Sequence, residues 1–266
     1  MKSKIKTGPK VLLLDIETSP ILGYVWGLWE NNLGLNQIKS DWHVLSWSAK
    51  WLGESQVFYK DQRNAKNIED DKKLLLGIWE LLDEADIVIT QNGKSFDHKK
   101  LNARFILNGF QPPSSFKYID TLILAKRHFG FTSNKLAYMS EKLCTKYKKL
   151  KHSEYEGFEL WKACLAGDLK AWKVMEKYNK YDVLALEELY HKLIPWDASI
   201  DFNLYSDSLE VICKCGGKEF RKRGFLYSPS GKFQRHQCNK CGHETKSKVN
   251  EMSKEKRKSL RPGVAR

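Results

Sequence analysis

Residues 11–20 read VLLLDIETSP, an apolar run that stops on two acids. Val11, Leu12, Leu13 and Leu14 in succession predict a strand buried on both faces, as in a sheet covered by helices on each side. Asp15 and Glu17 stand two apart, so on a strand both point to the same face. Carboxylates at the end of a buried strand are costly unless something offsets their charge. Divalent cations do so, and Mg²⁺ in particular takes one or two protein carboxylates together with phosphate oxygens.

From there to about residue 195 the chain alternates strand-like and helix-like stretches. Strands are expected at 11–15, 21–29 and 43–60, the last with Trp47, Ala49 and Trp51 at period two. Leu74, Leu75, Ile78, Leu81 and Leu82 give 69–84 the apolar stripe of a helix. A short buried strand over 85–90 leads to a helix from about Phe96 to Leu107, stopped by Gly109 and the Pro112–Pro113 pair, and 116–120 follows as a strand. Beyond it the chain reads as helices: from Ser133 or Asn134 to about Tyr147, over 158–166, and from a cap at Asp168 to about Leu193. This order predicts an α/β layer with a mixed sheet. Residues 196–210 read as a linker, 211–246 as a cysteine-bearing module, and 247–266 as a basic tail too polar to fold alone.

Charge separates the two parts. Of a net +14, residues 211–266 hold +12, from 16 Lys and Arg against 4 Asp and Glu. Such an excess suits a polyanion, most simply nucleic acid, with a solvated basic tail as the plain alternative. No apolar run approaches the ~18 residues of a membrane span, and the basic start MKSKIKTGPK lacks the apolar segment of a signal peptide. A cytoplasmic protein with reduced cysteines and no membrane partner is the expectation.

Two further acidic sites share the setting of the first pair. Asp97 opens a helix after the strand DIVIT and the turn QNGKSF, in which Gly93 permits a tight strand-to-helix turn. Tyr178 and Asp182 stand four apart on the last long helix and share a face. There the phenol can position a water or, with a metal's help, deprotonate it. Singly, each residue has an ordinary reading: turn chemistry for Asp15, the surface for Glu17, the helix dipole for Asp97, a surface pair for Tyr178 and Asp182. Asp120 could lie near these acids or hold a turn. Asn92 is expected to hold the Gly93 turn rather than meet a terminal sugar. Lys94 could meet a phosphate or be solvated. For Tyr24, Trp26 and Trp29, core packing is favoured over stacking on a base.

Taken in order, Asp15-x-Glu17, Asn92-Gly93-x-x-Phe96-Asp97 and Tyr178-x-x-x-Asp182 resemble the three motifs of the DEDD superfamily of 3′–5′ exonucleases, in its Tyr-containing subclass. Lys177 stands where the other subclass has His. The resemblance spans residues 10–195 and implies a ribonuclease H-like fold, a mixed five-stranded sheet flanked by helices. It implies that Asp15 bridges two catalytic Mg²⁺ or Mn²⁺ ions, that Glu17 and Asp182 complete one ion's shell, and that Asp97 holds the other partly through water. Tyr178 would orient the attacking water. Two ions ~3.5–4 Å apart would stabilise the entering and departing oxygens of a terminal phosphodiester. The implied partner is nucleic acid with a single-stranded 3′ end, DNA being favoured. RNA as substrate, structure-specific internal cleavage, and a non-catalytic nucleic-acid binding module are the alternatives.

Four cysteines form two close pairs, Cys213-Lys-Cys215 and Cys238-Asn-Lys-Cys241, whose spacing suits one structural Zn²⁺. His236 or His243 could replace one of them. Between the pairs, a hairpin is expected with its turn at SPSG. It interleaves Phe225, Tyr227 and Phe233 with Arg221, Lys222, Arg223, Lys232 and Arg235, and resembles the zinc ribbons of nucleic-acid enzymes. The bases are candidates for phosphates and the aromatics for bases, with at least two of the aromatics expected in the ribbon's small core. Cys144 and Cys164 lie in helices and read as core residues.

Overall fold

The computed structural model describes residues 7–29, 31–150, 154–229 and 231–261. It divides into two compact units, one of residues 10–192 and one of residues 1–9 with 193–266. The first unit begins with β1 (Val11–Thr18), β2 (Leu22–Gly23), β3 (Ile38–Ser40), β4 (Val44–Trp51) and β5 (Phe58–Asp61). Then come α1 (Lys72–Glu84), β6 (Ile87–Thr90), α2 (Asp97–Leu107), β7 (Lys117–Asp120), α3 (Thr121–His128), α4 (Leu136–Leu143), α5 (Glu159–Leu165) and α6 (Leu169–Leu193).

One mixed sheet of five strands runs in the order β5-β4-β1-β6-β7. β1 pairs antiparallel with β4 and parallel with β6, which puts it in the middle. That position accounts for its apolar run. Leu12, Leu14 and Ile16 pack with Leu74, Leu75 and Ile78 of α1 and with Leu101 and Phe105 of α2. Trp47 and Ala49 of β4 join the same core, as their period-two spacing predicts. Ser46, Ser48 and Lys50 between them are buried as well, because α6 meets that face. Ser46 Oγ donates to Asn179 Oδ1 at 3.2 Å, and Lys50 pairs with Glu187 at 2.7 Å.

The structure departs from the sequence expectation at several places, each with a local cause. β1 runs on through Thr18, so Asp15 and Glu17 lie within the strand, with a bulge after Glu17. The expected strand over 21–29 shrinks to β2, which pairs only with β3. The stretch 43–60 is two strands, turned where Gly53 takes φ +83°. α3 is unexpected, because the sequence reading places no particular helix between the strand at 116–120 and the cap at Ser133 or Asn134. The Asp120 carboxylate starts it by accepting the amides of Leu122 and Ile123 at 3.0 and 3.4 Å. The helix expected from 133 to 147 is α4 alone. Glu188 of α6 accepts the amides of Thr145, Lys146 and Tyr147 at 2.6, 3.1 and 2.7 Å and keeps that segment from continuing the helix.

The second unit contains β8 (Phe220–Ser228), β9 (Gly231–Cys238), β10 (Glu244–Asn250) and α7 (Lys254–Ser259). The strands form an antiparallel sheet in the order β10-β9-β8, and β8 with β9 is the expected hairpin. Of the expected basic tail 247–266, residues 262–266 lie outside the described residues; in the described part β10 runs through Asn250, and Ser253 caps α7 by accepting the Lys256 amide at 3.1 Å. Residues 196–210 are not a free linker. Asn203 exchanges hydrogen bonds with Ile212 at 2.8 and 3.0 Å, and Asp197 forms a buried ion pair with Lys214 at 2.8 Å. Among the described residues, no helix is long and apolar enough to cross a membrane.

Glu188 gives the fold a pH signature. Burial alone would raise its carboxyl, but the amides of Thr145, Tyr147 and Lys146 outweigh burial and hold it down at about 2. A depressed carboxyl stabilises the fold above its unfolded range, about pH 4.3, and loses that contribution as pH falls toward its folded value. Glu188→Ala should therefore cost about 1–2 kcal/mol at neutral pH. In urea melts its gap to wild type should close as pH drops from about 5 to about 2. A gap that stays constant would contradict this assignment.

Candidate active site

β6 pairs with β1 only as far as Leu13, which leaves later β1 amides without that neighbour. Asp97, the first residue of α2, takes one of them: its Oδ1 accepts the Ile16 amide at 3.1 Å. From the other side α6 brings Asn179, whose Nδ2 donates to Asp15 Oδ2 at 2.6 Å. One carboxylate oxygen from each of Asp15, Glu17 and Asp182 lies within 4.8 Å of the others. Asp97 stands outside this trio and beside it, on the Ile16 amide. Tyr178 lies one turn before Asp182 and is buried. Trp161 of α5 links it to the acids, donating Nε1 to Glu17 Oε2 at 3.0 Å and meeting the Tyr178 ring edge-on at 6.1 Å.

The electrostatics of this group are unfavourable without a cation. Burial first, then the charges of Asp182, Asp97 and Glu17, push the Asp15 carboxyl well above the usual carboxylate range. Burial and Asp182 push Glu17 up to about 8, and burial pushes Asp97 up to about 7 against the pull of the Ile16 amide. Burial, helped by Asp182, also pushes the Tyr178 phenol up, so it stays neutral at neutral pH. Hard oxygen donors, negative charge in excess and partial burial fit a divalent cation such as Mg²⁺ or Mn²⁺.

Three residues of this group escape a motif reading. Asn179 sits inside Tyr-Asn-Lys-Tyr-Asp and shares the α6 face of the motif, so helical spacing could have found it. Trp161 and Lys149 carry no such signal. Lys149 belongs to a run of bases, Lys146, Lys148 and Lys149, in which nothing in the sequence marks it out. In the structure its ammonium contacts the Asp182 carboxylate and lies 4.3 Å from the centre of the Tyr178 ring. An open cleft of about 530 Å³ passes this point, lined by Asp15, Asp182, Asn92, Lys126, Lys135 and Lys149.

Asp120 is a turn residue. Besides capping α3, it accepts the amides of Asn92 and Lys94 at 3.0 and 3.3 Å. The left-handed residue of that turn is Asn92, at φ 68°, not Gly93. Gly93 is required for a different reason: a Cβ there would lie 2.2 Å from Thr90 Oγ1. Tyr24, Trp26 and Trp29 do not pack in the core, being 66, 103 and 85% exposed. Their segment has too little strand pairing to hold it against the sheet.

In the second unit the sulfurs of Cys213, Cys215, Cys238 and Cys241 form one group within 4.8 Å, and among the described residues no histidine joins it. Cys213 and Cys241 sulfurs are 3.6 Å apart, and Cys215 and Cys238 sulfurs 3.7 Å apart. These distances exclude disulfides and match the ~3.8 Å edge of a tetrahedron with Zn–S arms of about 2.3 Å. His243 instead donates its amide to Cys241 Sγ at 3.4 Å. Gly217 is a requirement the cysteine spacing does not reveal: a Cβ there would sit 2.7 Å from Cys238 Sγ.

The five candidate bases do not form one stripe. The strand register puts Lys222, Phe225, Tyr227 and Lys232 on one face, with the Lys232 ammonium 3.9 Å from the Phe225 ring centre. Arg221 and Arg235 point to the other face, where Arg221 donates to Gln237 at 2.7 Å and Arg235 reaches Glu244 at 3.4 Å. Arg223 lies at the bulge and also approaches Glu244, at 3.8 Å. Of the three aromatics only Phe233 is buried, and Tyr227 is 69% exposed.

A search of curated proteins finds no match to the chain. The family model described as RNase_H superfamily matches residues 34–194, more than half of the chain. The match begins after Asp15 and Glu17, so their placement rests on the geometry of β1 against α6. A five-stranded mixed sheet flanked by helices and a match across most of that unit have one conclusion: the chain belongs to the RNase_H superfamily.

Proposed function

We propose that the chain is a metal-dependent 3′–5′ exonuclease of the Tyr-containing DEDD type, with DNA as the favoured substrate. Membership of a superfamily of nucleases supports a nucleic-acid substrate and hydrolysis of phosphodiesters. The observation that carries the finer reading is the trio Asp15, Glu17 and Asp182 within 4.8 Å, with Tyr178 one helical turn from Asp182. Asp15, Glu17 and Asp182 would hold one Mg²⁺ or Mn²⁺, and Asp15 with Asp97 would hold a second. Bound ions supply a nucleophilic water and stabilise charge on the phosphate. The protein's own part is to fix the acids and the water. Asn179 sets the Asp15 carboxylate and Trp161 sets Glu17. The Tyr178 phenol, pushed up by burial, would orient the attacking water by hydrogen bonding.

The cysteine group is proposed as a zinc ribbon over 211–246 with one structural Zn²⁺, and residues 1–195 as the nuclease domain. Four sulfurs within 4.8 Å of one another cannot all carry negative charge without a cation among them. Lys222 and Lys232, grouped with exposed Tyr227, are the ribbon residues best placed to follow a nucleic-acid strand, and Arg221, Arg223 and Arg235 are partly engaged within the sheet. All six cysteines are free, which supports a reducing compartment such as the cytoplasm.

Degradation of 5′-labelled single-stranded DNA and RNA with Mg²⁺ tests the activity. Ladders should shorten from the 3′ end. Asp15→Ala and Asp182→Asn should each lower the rate about a thousandfold, the several kcal/mol that the metal's charge stabilisation is worth. Tyr178→Phe should cost less, up to about a hundredfold, and leave the pH profile unchanged in shape. Internal fragments would favour an endonuclease, and binding without cleavage would favour a non-catalytic module. For the ribbon, elemental analysis of reduced protein should find about one zinc per chain, lost in Cys238→Ser. Protein without zinc would remove the ribbon proposal.

A further inference from the structure

We propose that Lys149 is a built-in counter-cation of the acid cluster, exchanged for a divalent cation when one binds. The inference rests on the metal-site reading above and adds a competitor within the chain. Three carboxylates drawn within 4.8 Å of one another repel, and partial burial denies them water. The groups that act on the Lys149 ammonium are Asp182 and Tyr178 of α6 and Asp15 of β1, and Glu17 feels its charge as well. It contacts Asp182, stands over the Tyr178 ring, and keeps a quarter of its side chain exposed. It is thus buried enough to act on the acids and open enough to leave.

The backbone around it is built to hold this position. Glu188 fixes the amides of Thr145, Lys146 and Tyr147, and Ser140 Oγ accepts the Lys149 amide at 3.1 Å. Only the flexible four-carbon side chain reaches the acids, so it can swing without moving the segment. An ammonium brings one charge and three directional donors. A divalent cation brings twice the charge and takes several oxygens at once, so it outcompetes the lysine at the same oxygens. An ammonium on the Asp182 carboxylate and a divalent cation drawn to the same carboxylate repel each other, so the two compete for it. The released ammonium remains on the wall of the cleft with Lys126 and Lys135, where a polyanionic strand would run.

The test compares wild type with Lys149→Met, which keeps the stem over Tyr178 and removes the charge. Thermal melting is followed in chelator and across a Mg²⁺ titration, without nucleic acid. The variant should melt lower in chelator, because its acids lose their counter-charge. Its half-saturating Mg²⁺ concentration should fall at least tenfold, because the competitor is gone. Equal or weaker Mg²⁺ affinity in the variant overturns the inference and leaves the metal site standing. If neither Mg²⁺ nor Mn²⁺ shifts the melting of either protein, the metal-site reading fails and this inference with it. Should Lys149→Met not fold, Lys149→Gln replaces it. The side-chain ¹⁵N signal of Lys149 in wild type gives a second readout, which should move on adding Mg²⁺. A signal unchanged at saturating Mg²⁺ overturns the exchange.

Discussion

A carboxylate pressed against other carboxylates in a poorly hydrated place needs a positive charge beside it. The first unit is arranged around that requirement. β1 is the central strand, so its apolar half can be buried between helices and its acidic half can be held rigidly. Asp15 and Glu17 are thereby fixed on one face of the sheet, and α6 crosses that face carrying Asn179, Tyr178 and Asp182. The cost of collecting these acids is visible in the raised carboxyls of Asp15, Glu17 and Asp97. A side chain that only capped a turn or covered a surface would not be held against that cost.

Much of this arrangement is legible in the sequence because it follows from periodicity. The unbroken apolar run from Val11 to Leu14 marks a strand covered on both faces, and a spacing of four on a long helix stacks Tyr178 on Asp182. What the sequence hides is set by single side chains acting at a distance. Asp120 starts α3, a helix the sequence reading does not place, by capping it. Glu188, more than forty positions away, ends α4 by capturing three amides beyond it. Neither effect has a local pattern, so propensity alone extends one element and misses the other.

The site shows the same division. Asp15 and Glu17 announce themselves by following an unbroken apolar run, Asp97 by opening a helix, and Asp182 by standing one turn after Tyr178. Trp161 and Lys149 reach them from the segments before α6, and their residue types are common elsewhere in the chain. The aromatic segment after β1 is the opposite case. Its composition argues for a core, but its residues sit in turns around two very short strands, so Trp26 and Trp29 remain in solvent. In the second unit, cysteine spacing identifies the sulfur group. It does not reveal Gly217, whose missing Cβ makes room for Cys238.

The account stands on the acids of β1 and α6 being a cation site. Diffraction from crystals soaked in Mn²⁺, recorded for anomalous scattering, addresses that directly. The account predicts a peak about 2.2 Å from carboxylate oxygens of Asp15, Glu17 and Asp182. A peak bound elsewhere, with these three carboxylates bare at saturating Mn²⁺, would contradict it.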